Sequence, residues 1–523
     1  MEKFTISELG WVKPTAAFLL VSYGLATLAR ALTRRKGLSL PPGPPPLPLI
    51  GNILDIPAED YWLKYMEWSE QYGSDVLYLN LLGQDFIVLN SLSACKELLE
   101  KRSSIYSSRP IMPMVNDLIG FDWMFGFMPY GDEWKERRKL FTQSFGPSKV
   151  HLHRAHLLKH NRIFLLRLLE DPEHFRDHAR MAAGAFVLEA AYGIDVKSPD
   201  DIFITGAERA LLAMSASGTA ATYVVDFIPI LKHLPSWLPG AGFKREARLW
   251  RHHVEAMPRD PFKFVEDSLK RGDAKPCVAT QLIQALDEGD AEYENQKATI
   301  RESLGSVYVG ASDTTVSSVA TFFLAMAQNP EIQKKSQSAV DRVVEAEGRL
   351  PDFTHFQKLP YIEAVVRELL RWKLVAPMAA PHSLIQDDVY KSFHIPQGAT
   401  VTPNCFAITR DPTLYGPNAD LFDPTRFLDA TQTEINPDMP MGYDTFGFGR
   451  RMCPGMELAI ESIWLTVVST LAVFDIAKAG QEGDGFVKYT SGLISHPLPF
   501  EVKITPRSKE AEDWIRSSVV AGV

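Results

Sequence analysis

The chain has 523 residues, 46% of them hydrophobic and 11% aromatic, so it can bury a large core. Its 55 basic and 64 acidic side chains give a formal net charge of −9 and a pI near 5.9, which leaves no basic footprint for phosphate and excludes nucleic acid as a partner. Four widely spaced cysteines, Cys95, Cys277, Cys405 and Cys453, form no CxxC pair. That spacing excludes a disulfide scaffold and a zinc ribbon and places the main body in a reducing compartment.

Residues from about Trp11 to Leu32 are mostly apolar and approach the ~20 residues of a membrane-spanning helix, although Lys13 and Arg30 shorten the clean run. Arg30, Arg34, Arg35 and Lys36 follow, a cluster that stays cytoplasmic and keeps the bulk of the protein in the cytosol. A cleaved secretory signal is the alternative. The positive charges lie after the apolar run and no small-residue cleavage site precedes them, which favours an uncleaved anchor within residues 1–36. Residues 37–52 contain PPGPPPLPLIGN, a stiff extended segment that reads as a spacer between anchor and globule.

Residues 53–523 read as one large domain, mainly α with a minor β part. Val76 to Leu82 and Asp85 to Leu89 predict a hairpin of apolar strands, and helical periodicity dominates from about Glu133 onward. His151, His153, His156 and His160 include an i,i+4 pair that could pinch a metal ion. With no carboxylate close in sequence, the preferred reading is the solvated face of an amphipathic helix whose Leu152, Leu157 and Leu158 face inward. The longest helical pattern runs from about Asn295 to Ala327 and stops at Asn329-Pro330. At its centre Gly310, Ala311, Ser312, Thr314 and Thr315 replace larger residues, so something bulky could lie alongside, and the hydroxyls could open a turn; close helix packing is the alternative.

The decisive segment is Phe446-Gly-Phe-Gly-Arg-Arg-Met-Cys-Pro-Gly455, directly ahead of an apolar helical run. A cysteine in a glycine-rich turn at a helix N-terminus faces N–H groups and a favourable dipole, which stabilise thiolate, and a thiolate can ligate iron. Cys95, Cys277 and Cys405 lack such a setting and read as small buried apolar residues.

This segment resembles the heme-binding signature of cytochromes P-450, FxxGxRxCxG, at Phe446, Gly449, Arg451, Cys453 and Gly455. The resemblance implies the family's fold, a single large heme domain behind an N-terminal anchor, with heme b (iron protoporphyrin IX) as cofactor. It makes Cys453 the axial iron ligand, Arg451 a propionate contact and Phe446 the shield of the sulfur. Three further motifs follow the family's order. Glu368 and Arg371 resemble the ExxR pair, one turn apart on one helix face, and Arg426 the arginine that completes a structural Glu-Arg-Arg cluster. Trp134 and Arg138 resemble WxxxR, whose side chains approach a propionate, and Pro381-His382 stands where relatives carry Pro-Arg or Pro-His, which makes His382 another propionate partner. Gly310 to Thr315 resembles AGxDTT with its first two residues exchanged. By that resemblance Thr314 orders water and donates a hydrogen bond in the oxygen pocket, while Asp313 relays protons.

The resemblance implies a monooxygenase that inserts one atom of O2 into a small, largely apolar molecule. The loop from Pro110 to Met128 covers the substrate in the family, so Met114, Leu118, Phe121 and Phe125 are expected to line the pocket. Asn116, Asp117 and Asp122 could orient a polar handle; capping or solvent exposure is the preferred reading. Gly310, the stretch Leu374 to Met378 with Val375 and Met378 foremost, and Leu493 with Ile494 complete the expected wall. The pattern looks like microsomal enzymes of higher fungi, which implies secondary metabolism (a terpenoid, indole or polycyclic aromatic) or, alternatively, a broad xenobiotic or steroid-like range; a non-catalytic heme sensor is the rival of another class. No flavin or nicotinamide fingerprint occurs, so electrons are expected from a separate NADPH-cytochrome P-450 reductase, with Lys135, Arg137 and Lys139 offering positive charge. The expected location is the endoplasmic reticulum membrane, single-pass, with the catalytic domain in contact with lipid and facing the cytosol.

Overall fold

A computed structural model describes residues 24, 38–219, 222–440, 442–479 and 487–520. The apolar, β-branched run at 76–89 folds as expected into an antiparallel hairpin, β1 (Val76–Leu81) and β2 (Gln84–Leu89), turned by Leu82 and Gly83 at positive φ. Two more pairs are β4 (Asp388–Tyr390) with β5 (Phe393–Ile395), and β7 (Phe474–Lys478) with β8 (Val502–Pro506). In the main sheet β2 pairs in parallel with β6 (Thr400–Pro403), and β6 pairs antiparallel with β3 (His382–Ser383). This last pairing carries His382 toward the protein centre.

The proline-rich segment is extended, as its fixed φ angles require, but it is seated on the sheet and is not a free spacer. Tyr78 donates its N–H to the Pro42 carbonyl and Asn52 donates to the Asn80 carbonyl, so residues 38–52 cover the edge of β1. The expected anchor, about 11–32, lies outside the described residues apart from Gly24.

Most of the remainder is helical. The long helices, in chain order, are α1 (Tyr61–Tyr72), α2 (Asp132–Phe145), α3 (Arg154–Glu170), α4 (Phe175–Tyr192), α5 (Ile202–Ser217), α6 (Gly242–Arg271), α7 (Tyr293–Gln328), α8 (Pro330–Glu347), α9 (Pro360–Trp372), α10 (Met456–Val473) and α11 (Lys509–Val520). α7 passes through the centre and packs on α2, α4, α6 and α10. Buried on nearly every side, it carries its polarity as Ser and Thr, whose hydroxyls are satisfied within the helix. Ser303, Ser306, Ser312, Thr314, Ser318 and Thr321 each donate to the carbonyl four residues back. The helix therefore runs unbroken, and the turn that these hydroxyls were expected to open is absent.

α10 is the one helix among the described residues long and apolar enough to cross a membrane, with mean hydropathy 1.5, yet 72% of it is buried in the protein. It is a core helix that brings Cys453 against α7. Two surface readings need correction. His153 is buried and stacks on Phe145 at 4.5 Å, and buried His160 meets Glu189 of α4 at 2.6 Å, while Leu152 is 57% exposed. A short 3-10 turn over Val150–His153 offsets the helical register there, which places His153 inside and His151 and Leu152 outside. No cluster of His, Cys, Asp or Glu among the described residues is arranged to hold a metal ion. Arg137 is also buried, paired with Glu302 of α7 at 2.6 Å, which leaves Lys135, paired with Asp132 at 2.8 Å, and Lys139 as the exposed cations of that segment.

Candidate functional site

Cys453 stands at the end of a loop whose shape depends on glycine. Gly447 and Gly449 have φ of 84° and 57°, and a Cβ at Gly449 would lie 2.1 Å from the Leu99 carbonyl. The loop folds back so that Cys453 donates its N–H to the Phe446 carbonyl at 2.8 Å. Its thiol lies deep in the protein but opens on a central cavity that Phe446 and Gly455 also line. Burial pushes the thiol up; the Gly455 N–H and the Arg138 charge pull it toward thiolate. Cys95, Cys277 and Cys405 are buried, as expected.

A crowd of cations lies beside the thiol. Arg451 donates to the carbonyls of Ser107 (2.6 Å), Phe125 (3.3 Å) and Met128 (2.7 Å), with its guanidinium 4.4 Å from the Trp134 ring centre. Burial, then the charges of Arg109 and Arg138, push Arg451 down to about 8. Arg109, which the sequence reading missed, lines the cavity and donates to the Gly126, Ala380 and Pro381 carbonyls at 3.0, 2.7 and 2.7 Å. His382 lines the same wall with Nδ1 2.9 Å from the Tyr106 carbonyl, and burial, followed by Arg109, holds it well below the usual imidazole value. Trp134 and Arg138 do not line the cavity. Trp134 supports Arg451 from behind, and Arg138 lies over Trp134 at 6.0 Å.

Heme fits this donor set. A thiol that burial alone would keep protonated, with the Gly455 N–H and the Arg138 charge opposing that effect, faces a cavity whose rim holds Arg109 and Arg451, bonded to carbonyls and, among the described residues, to no carboxylate. Like charges crowded in a dry site need an anion, and two propionates supply one. Gly310, in mid-α7, faces the same space, where a Cβ would meet nothing within 4 Å.

The expected structural cluster is complete. Glu368 and Arg371 are fully buried and joined by two bonds of 2.6 and 2.8 Å, and Arg426 reaches Glu368 at 3.1 Å. Arg371 also donates to the Thr409 carbonyl, and the Asp423 N–H to Glu368. Breaking one member would strand a buried charge, so the trio locks α9 to the loop that leads to Cys453.

On α7, Thr314 lines the cavity, but its hydroxyl donates to the Gly310 carbonyl at 2.7 Å and presents its lone pairs to the cavity. The donor expected of Thr314 is thus an acceptor in this structure. Asp313 points away from the cavity, and its Oδ2 lies 3.1 Å from Nε2 of His496, a partner that sequence distance concealed.

The cavity has a volume of about 360 Å³ and a mainly apolar wall. Phe125, Gly310, Val375, Ile494 and Leu493 line it as expected. Met114, Leu118, Phe121 and Met378 do not. The first half of the 110–128 loop turns away to pack on α6, with Met114 and Phe121 fully buried and Phe121 against Trp123 and Phe127. Leu118 is partly buried on the same cluster, and Met378 joins Trp62 and Tyr65 beside the sheet. The loop's second half, Met124 to Phe127, reaches the cavity, joined by Phe186 and Met214. Asp117 pairs with Lys232 at 2.6 Å, Asn116 caps the Met112 N–H, and Asp122 is exposed, so none supplies a handle.

The family model for cytochrome P450 matches residues 41–504. Among curated proteins, the chain is similar to the tryptamine 4-monooxygenase of Psilocybe cyanescens, 39% identical over 94% of this chain and 98% of that protein. It is similar to the cytochrome P450 monooxygenase ple1 of Rhodocybe pseudopiperita, 38% identical over 92% of each chain. The cytochrome P450 monooxygenase COX2 of Coprinopsis cinerea is 39% identical over 95% of each.

Proposed function

The chain belongs to the cytochrome P450 family, and from that membership we propose how its residues serve a heme-dependent monooxygenase of fungal secondary metabolism. Cys453 ligates the iron, Arg451, Arg109 and His382 hold the propionates, and Trp134 and Arg138 back Arg451. Heme bound through thiolate supplies oxygen activation, since thiolate pushes electron density onto iron and favours O–O cleavage. Thr314 accepts a hydrogen bond from water or reduced oxygen in the cavity while it donates to Gly310, and Asp313 passes protons inward. A heme sensor has no use for that acid-alcohol pair, which supports catalysis.

The substrate we propose is a neutral, largely apolar molecule, terpenoid or polycyclic. The supporting observation is the wall itself: Phe125, Phe127, Phe186, Met124, Met214 and Ile494 bound the space, and no carboxylate among the described lining residues could pair with an ammonium. That disfavours an amine such as the one in the name of the Psilocybe cyanescens relative. Electrons come from an NADPH-cytochrome P-450 reductase that docks on the Cys453 side near Lys135 and Lys139. The protein is held at the endoplasmic reticulum by residues 1–36, and the heme-thiolate domain takes in the proline-rich segment 38–52 together with residues 53–523.

The observation that carries this reading is Cys453 opening on the cavity beside the cationic rim. The reduced carbon monoxide spectrum tests it: Cys453→Ser should abolish the long-wavelength Soret band and turnover, whereas Cys95, Cys277 and Cys405 variants should keep both. Thr314→Ala should let NADPH consumption continue while product falls and hydrogen peroxide rises. Loss of the hydroxyl that orders water in the cavity should show as a lower ratio of product to NADPH when NADPH, peroxide and product are measured together.

A further inference from the structure

Asp313 lies on α7 beside the cavity-lining Thr314, yet it does not itself line the cavity, and its carboxylate meets His496 at 3.1 Å. Both side chains are partly exposed, Asp313 at 19% and His496 at 24%, so the pair bridges solvent and the helix at the heart of the protein. His496 is held from several sides. Its N–H donates to Thr490 Oγ1 and its carbonyl accepts from the Thr490 N–H. The neighbouring Ser495 donates its N–H to the Val375 carbonyl and its hydroxyl to the Thr490 carbonyl. Ser317, one turn beyond Asp313 on the same face of α7, donates to the Ser495 carbonyl at 2.5 Å. Two successive loop residues are thus fixed by two successive turns of one helix. That precision is more than an incidental surface ion pair needs.

We propose that His496 is the proton-exchange residue of Asp313, carrying protons from solvent to the central helix. The proposal rests on the reading of Asp313 as the proton relay. In each passage the imidazolium gives its Nε2 proton to Asp313 Oδ2 and, left as the neutral Nδ1–H tautomer, regains a proton from solvent at Nε2. Asp313 then releases the proton to water on the side of Thr314 and returns to carboxylate. Two passages match the two reductase electrons when one oxygen atom enters the substrate and the other leaves as water. Among the described residues, few charged groups stand near His496. α7 supplies Asp313, and α4 supplies Arg176, which donates to the Pro497 carbonyl next door and is surrounded by Arg180, Asp177 and Tyr489. α5 contributes Glu208, paired with Arg180, and the neutral Ser215. The loop itself adds Lys488, so Asp313 is the one group bonded to the ring in this set. Because Leu493 and Ile494 of the same loop line the cavity, substrate contact and proton entry share one mechanical element.

The test uses full-length, heme-loaded protein with reductase, NADPH and O2, and reads O2 consumption, its pH profile and its solvent deuterium isotope effect. His496→Gln keeps an N–H donor toward Asp313 but exchanges no proton. It should preserve the reduced carbon monoxide spectrum while slowing O2 consumption about tenfold or more, enlarge the isotope effect and alter the pH profile. Combined with Asp313→Asn it should add nothing, as two members of one path are non-additive. A His496→Gln enzyme with wild-type rate, isotope effect and pH profile, beside a slow Asp313→Asn enzyme, would overturn the role of His496 alone. A wild-type rate in Asp313→Asn would overturn the relay reading and this proposal with it.

Discussion

Arg109 sits between two serines and Pro110 in sequence, and nothing local marks it as functional. Its significance comes from three carbonyls, of Gly126, Ala380 and Pro381, which aim its guanidinium along the cavity wall beside Arg451. Arg109→Leu should weaken heme binding roughly tenfold to a hundredfold, the equivalent of the ~1.5–3 kcal/mol of a hydrogen bond to a charged group. Arg109→Lys, which keeps the charge without the planar fork, should recover part of it. Heme titration of apoprotein measures both. The contrast with Cys453 shows what a sequence can disclose at this scale. Cys453, Arg451, Glu368 and Arg371 sit in spaced motifs whose chemistry is local. Arg109 and His496 act through partners 271 and 183 positions away (380 − 109; 496 − 313), a relation created only by folding. The same limit explains the histidines of α3, for which the carboxylate that mattered, Glu189, belongs to the next helix.

The elements were legible where their periodicity was strong. The β1–β2 hairpin and α7 fall within two residues of expectation, and Asn329-Pro330 ends α7 as predicted. The 110–128 loop was not legible in detail, because Met and Phe serve equally to pack a core or line a pocket, and three of its seven Met and Phe residues face the cavity. That loop carries a buried contact with a pH signature. Asp226, on a short helix over Val224–Phe227 and 8% exposed, accepts the Met114 N–H at 2.8 Å. Burial raises its carboxyl from 3.8 to about 7, against the pull of that N–H. Between these values the folded chain binds more protons than the unfolded one, so Asp226 makes stability fall as pH rises from ~4 to ~7. The full effect is on the order of a few kcal/mol. Asp226→Asn keeps an acceptor for Met114 and never ionises. It should therefore be the more stable protein at pH 8 and lose that advantage at pH 4, as thermal unfolding at the two pH values would show.

At the scale of the whole molecule, motifs spread from Trp134 to Gly455 converge on one cavity between α7 and α10, so the fold class and the heme centre were readable before any coordinates. The seat of the proline-rich segment was not, because proline fixes an extended conformation without saying what the extended chain lies against. Residues 38–52 prove to be part of the globule. Asn52, fully buried, accepts the Asn80 N–H at 2.9 Å and donates to the Pro44 carbonyl and to Asp55. β1 is the last strand of its sheet, and Pro42 takes the Tyr78 N–H that would otherwise point outward. An uncovered edge strand is a template for association with other chains. Two truncations should therefore behave differently. Removing residues 1–36 takes away the apolar run and its basic flank and keeps the contacts that residues 38–52 make with β1; the protein should leave the membrane fraction, run as a single species and keep its reduced carbon monoxide spectrum. Removing residues 1–52 exposes the β1 edge and leaves Asn80 without its partner in Asn52, so this protein should unfold at lower temperature and aggregate, with loss of heme. Membrane flotation, size-exclusion chromatography and the spectrum, applied to both, separate anchor from cover. If the shorter deletion also loses heme, residues 1–36 belong to the heme domain; if the longer one is as stable as the shorter, the proline-rich segment is only the spacer its composition suggests.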